Sequence, residues 1–88
     1  MKYKIKDDIV WEEIGGKITV LDPEQGKYFV LNKSAGEIWK SIRKPITESK
    51  LIEMLCHKYV EEDKIKIILQ VKNCLEELSR LKVLKTVN

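Results

Sequence analysis

Histidine occurs once in this chain, as His57, and cysteine twice, as Cys56 and Cys74. With no CxxC and no second histidine, the paired short spacings that hold zinc are missing, and the thiols read as reduced structural side chains. The four glycines form no phosphate-cradling loop, and no serine or cysteine shares a nucleophile motif with a histidine. Two acidic groups remain, Glu12-Glu13 and Glu61-Glu62-Asp63. They fall at a strand end and a helix start, where carboxylates are solvated or complement the helix dipole. No apolar run reaches the roughly 18–20 residues needed to cross a bilayer. The basic start, MKYKIKDDIVWEE, precedes no apolar block or small-residue cleavage site, so it is not a signal peptide. The expectation is a cytoplasmic protein that is no enzyme, holds no metal or cofactor and does not enter the membrane.

What is present favours a folded, helix-rich chain: 88 residues, 43% hydrophobic and 35% charged, with only two prolines. One domain over residues 1–88 fits that length, with no linker and no internal repeat. A net charge of +3 is spread along the sequence. It permits nucleic acid or acidic peptide partners and demands neither.

Ile9 to Ile14, IVWEEI, has the β-branched and aromatic character of a strand. Gly15-Gly16 is a two-residue hairpin signal, and KITVL from Lys17 to Leu21 alternates Ile18 and Val20 on one face. Asp22-Pro23-Glu24-Gln25-Gly26 is a turn, and Lys27 to Leu31, KYFVL, is a third strand. The spacing then becomes helical. Asn32 or Ser34 can cap a helix, Ser34 with Glu37 as a capping box, and Ala35, Ile38, Trp39 and Ile42 share one face. Thr47 caps a second helix whose apolar stripe is Leu51, Ile52, Met54, Leu55 and Tyr59. The acids at 61–63 open a third, longer helix. Val83-Leu84 is expected to pack back on the core. The order is βββααα, an α+β fold with a three-stranded antiparallel meander.

Two features point to binding. Ile67, Val71, Cys74, Leu78 and Leu81, with Ile68 and Leu75, already give the third helix a core stripe, yet Ile65 and Leu69 lie well round from it. A helix apolar on more than one side is deeply buried or offers a second surface. One alternative covers Ile65 and Leu69 with residues Tyr3 to Ile5. The third strand, if it is an edge, carries a single charge, Lys27, against unwanted pairing. Such an edge suits an extended peptide added as a further strand. The alternative there is an edge covered by the chain's own tail.

The ordered pattern Leu21-Asp22…Gly26-Lys27-Tyr28…Leu31-Asn32…Ala35…Ile38-Trp39, then Thr47, Leu55…Tyr59 and Val71…Leu75…Leu78…Leu84, resembles the PqqD-like family. It spans about residues 9–84. These are recognition elements for ribosomally made, modified peptides, among them stand-alone proteins of lasso-peptide pathways. The resemblance implies a winged-helix-like domain without catalytic activity. Its partners would be the leader segment of a precursor peptide and a separate maturation enzyme, a leader peptidase and cyclase or a radical-SAM enzyme. The leader would lie between the third strand and the third helix. Carried over by position, the contacts are Lys27, Tyr28, Phe29, Val30 and Leu31 on the strand, with Ile65, Lys66, Leu69, Gln70, Lys72 and Asn73 on the helix. Gln70 stands where relatives often have an acid, and lysines 27, 66 and 72 suggest a leader with acidic residues. The competing reading is a winged-helix DNA-binding regulator. The balanced charges of the middle helix, Lys50 and Lys58 against Glu48 and Glu53, and the acidic 22–26 turn suit a phosphate surface poorly.

Overall fold

A computed structural model describes residues 1–88. Eight elements follow in order: β1 (Lys2–Ile5), β2 (Val10–Ile14), β3 (Lys17–Asp22), β4 (Lys27–Leu31), α1 (Lys33–Ser41), α2 (Glu48–Lys58), α3 (Lys64–Arg80) and β5 (Leu84–Val87). The expected meander is β2-β3-β4, antiparallel throughout, and the three helices follow it. Two short strands add to the expected order. β1 and β5 pair with each other in a separate two-stranded sheet, Lys2 opposite Val87 and Ile5 opposite Leu84. Tyr3 also exchanges backbone hydrogen bonds with Ile46, at 2.8 and 3.1 Å, which ties the N-terminus to the α1–α2 connection.

The turns set the meander's register. Gly15 and Gly16 both adopt positive φ (59° and 81°), the backbone a two-residue hairpin needs to match the twist of its strands. At the next turn the Asp22 side chain accepts hydrogen bonds from the Gln25 backbone N–H and side-chain amide. Burial alone would push the Asp22 carboxyl up. Hydrogen bonds from Gln25 and Glu24 outweigh it and hold the group below its ordinary value. In register, Ile18 faces Leu31 and Val20 faces Phe29 and Trp11. The inward side of the sheet is therefore apolar, and α1 lies on it. Trp39, Ile38 and Ile42 are buried there, and the Trp11 ring meets Trp39 edge-on with centroids 6.3 Å apart. At Gly36 a Cβ would come within 3.3 Å of the Ile18 side chain, so the missing side chain lets helix and sheet approach closely.

Asn32 caps α1 by accepting from the Ala35 N–H at 2.9 Å. Ser34 lies inside the helix, and Glu37, free of any capping box, reaches Lys58 instead. Thr47 caps α2 and Asp63 caps α3, each accepting a backbone N–H from the first turn. Of the α2 stripe, Leu51 and Leu55 are buried and Ile52 half-buried, whereas Met54 and Tyr59 are exposed because α2 has one covered side only. On α3 the core positions are Ile67, Val71, Leu75 and Leu78, with Ile68, Cys74 and Leu81 half-buried beside them.

The end of α3 explains β5. Lys82 has φ 61°, its N–H donates to the Ser79 carbonyl, and the Val83 N–H donates to that of Leu78. This is a Schellman reversal, and Val83 packs beside Leu78 with both side chains buried. A lysine occupies the left-handed position that glycine normally fills. Replacing Lys82 with glycine is expected to stabilise the protein by about 0.5–1 kcal/mol, read as a higher urea midpoint with unchanged slope.

Candidate functional site

β4 bonds to β3 on one side and to nothing on the other. The C-terminal segment does not cover that free edge, because β5 is committed to β1. Nor do residues Tyr3 to Ile5 shield α3: they belong to β1, and Ile65 and Leu69 remain 67% and 53% exposed. Along β4 the side chains alternate. Phe29 and Leu31 point inward towards α1, while Tyr28 and Val30, 73% and 55% exposed, point outward beside Thr19 and Leu21.

α1 follows β4 after one residue and packs against both the sheet and α3. Between α1, the end of α2 and α3 lies a cavity of about 240 Å³. Its apolar lining comes from Ile38, Leu55, Ile67 and Val71, and its polar lining includes Lys33, Glu37, Tyr59, Glu62, Lys66 and Gln70. The cavity begins at Lys33 and Ser34, immediately beyond the end of β4.

This geometry divides the α3 residues named from sequence. Lys66 and Gln70 line the cavity. Asn73, three residues after Gln70 and seven after Lys66, shares their flank by helical spacing. Lys72 lies on the other flank, facing α2, where its Nζ bonds to Glu48 at 2.9 Å. Ile65 borders that side too, three residues before Ile68, which lines a second concavity against α2 with Ile52, Cys56 and Val60. Leu69 lies between the two flanks, three residues after Lys66 and three before Lys72. The sequence reading did not include Lys33, Glu37, Tyr59 and Glu62. The turns and caps that bring them to one place lie in three separate segments, so spacing within a single helix carries no trace of it. Cys74 is half-buried, and burial pushes its thiol up to about 11, far from a reactive thiolate.

Glu37 forms the site's fixed charge pair. The hydrogen bond from Lys58, at 2.6 Å, outweighs partial burial and, helped by the charges of Lys58 and Lys40, holds its carboxyl below the ordinary value. The same bond, with the carboxylate's charge, raises Lys58. Lys40 also reaches Glu13, at 3.1 Å, so β2, α1 and α2 are joined through one chain of charges. Because Glu37 is depressed in the fold, its contribution is complete above 4.5 and disappears as pH falls through the lowered value. Lys58 is raised, so its share holds below 10.5 and disappears as pH rises through the raised value. The melting temperature of Lys58→Met should lie below wild type at neutral pH, and the gap should close in strong acid.

The sequence model of the family described as coenzyme PQQ synthesis protein D (PqqD) matches residues 17–84, most of the chain. No curated protein sequence matches it. Among solved structures, one described as TbiB1 in complex with the TbiA(beta) leader peptide is similar with a TM-score of 0.83 at 21% identity, covering 97% of this chain and 98% of that one. A lasso peptide synthetase B1 complexed with its leader peptide gives 0.81 at 15% identity, covering 97% and 99%. The PqqD part of PqqCD from Methylobacterium extorquens, described as a stand-alone recognition element for ribosomally synthesised and modified peptides, gives 0.75 at 21%, covering 96% and 88%. At these identities the likeness establishes the shared α+β fold.

Proposed function

The chain belongs to the PqqD family, and from that premise we propose that it is a non-catalytic binder of a precursor peptide's leader, which it presents to a separate maturation enzyme such as a leader peptidase or a radical-SAM enzyme. The observation that carries this reading is the free edge of β4, which ends at the cavity between α1 and α3. A leader extended along Lys27–Leu31 would gain backbone hydrogen bonds from the edge. Alternate side chains would turn towards Phe29, Leu31 and the cavity beyond. On α3 the contacts are Lys66, Gln70 and Asn73, the residues on the cavity's flank. Ile65 and Lys72 would stand outside the peptide's path, and Leu69, three residues from Lys66 and four from Asn73, would border it. Two similar structures hold leader peptides, which supports the same ligand class here.

The DNA-binding reading loses ground on one observation. Both lysines of α2 are engaged by glutamates, Lys50 by Glu53 at 3.5 Å and Lys58 by Glu37 at 2.6 Å. A helix whose cations are matched in this way has little charge left for phosphates.

A labelled synthetic leader, taken from a short precursor reading frame beside this chain's gene, should bind saturably in a fluorescence titration. Gln70→Trp, which crowds the cavity rim, should weaken binding more than tenfold, a loss of about 1.4 kcal/mol or more. Lys72→Ala, on the far flank, should change it by less than about twofold, which is below about 0.5 kcal/mol. No binding at tens of micromolar, or equal effects of the two variants, would count against the reading.

A further inference from the structure

Resting on the leader-binding reading, we propose that the cavity selects peptides with a carboxylate two residues from a large apolar anchor, and that Lys33 and Lys66 read that carboxylate. The apolar part of the cavity, Ile38, Leu55, Ile67 and Val71, offers a place for one large side chain. Four charged residues line the rest: Lys33, Lys66, Glu37 and Glu62. Glu37 is already engaged by Lys58 and Lys40, so its charge is answered within the protein. Neither Lys33 nor Lys66 forms an ion pair, whereas six other lysines do, Lys72 on the same helix as Lys66 among them. Against the two free cations stands one unpaired acid, Glu62, so the cavity carries a surplus of positive charge.

The position of the lysines sharpens this. Lys33 begins α1 and Lys66 lies in the first turn of α3, and neither helix has an acid in that turn. A cation there opposes the helix dipole and weakens the helix slightly. α2, whose N-terminus is away from the cavity lining, has Glu48 in its first turn and follows the stabilising pattern. Two helices thus place a locally unfavourable lysine on the rim of the same cavity. An incoming carboxylate would relieve both positions.

Strand geometry supplies the spacing. In a peptide added along β4, residues i and i+2 face the same side, roughly 7 Å apart. One side chain can then enter the apolar part while the carboxylate two positions away meets the lysines at the rim. The charges along α3 alone would point to Lys72 as a partner; in the fold Glu48 already holds it.

The test uses the intact protein and a phage-displayed library of random peptides, with hits remade as labelled synthetic peptides. Retained sequences should be enriched in Asp or Glu two positions from a large apolar residue. Changing that acid to its amide should weaken binding about five- to tenfold. The double variant Lys33→Glu/Lys66→Glu should melt at or slightly above wild type, since both side chains are exposed and an acid suits a helix N-terminus. It should lose the acidic peptide and accept the same peptide with lysine in place of the acid. Peptides that bind without acidic enrichment, or indifferently to the amide change, overturn carboxylate selection and leave leader binding standing. A library from which nothing is retained overturns both.

Discussion

The candidate site depends on how α1 is seated. Trp39, Ile38 and Ile42 are buried on the inner side of the β2-β3-β4 sheet, and Gly36 lets the helix approach Ile18 closely. Truncating a large buried aromatic of this kind typically costs about 3–5 kcal/mol, a large share of the stability of a small protein. With α1 fixed, its N-terminus is held at the end of β4 and its side faces α3. The cavity between them, and the open edge beside it, follow from that placement.

The core and the proposed binding surface use different sides of the same elements. β4 buries Leu31 and half-buries Phe29 and leaves its backbone edge unpaired. α3 gives Ile67, Val71, Leu75 and Leu78 to the core, Lys66 and Gln70 to the cavity, and Lys72 to an ion pair with α2. Exposed edges are usually blunted because they recruit other strands. Here the edge is left with one charge, Lys27, and the second sheet uses its own strands to close the chain's termini rather than to cover it.

The meander and two helix caps were legible because local chemistry dictates them: Gly15-Gly16, Asp22 with Gly26, and the Asn32 and Thr47 caps each act within a few residues. The acids at 61–63 marked the start of α3 without showing that Asp63 is its cap. β1 and β5 were not. Their pairing joins the two ends of the chain, and the turn that permits it at Lys82 uses a lysine where a glycine would have been the visible sign. The exposure of Ile65 and Leu69 was readable from helical spacing, but their place relative to the cavity was not. Only the way α1 and α2 pack against α3 decides which residues border the cavity. The cavity's remaining polar lining stayed hidden for the same reason, since Lys33, Tyr59 and Glu62 meet only in three dimensions.

The most direct measurement of the central claim is amide hydrogen exchange, residue by residue, with and without a bound leader peptide. If the peptide adds as a strand, edge-facing amides within Lys27–Leu31 should slow markedly, because new backbone hydrogen bonds replace bonds to water. The α3 flank of Lys66 and Gln70 should respond with them, while β5 stays as it was. Slowing confined to β5 or to the α2-facing side of α3, with β4 unchanged by a peptide that binds, would contradict the account.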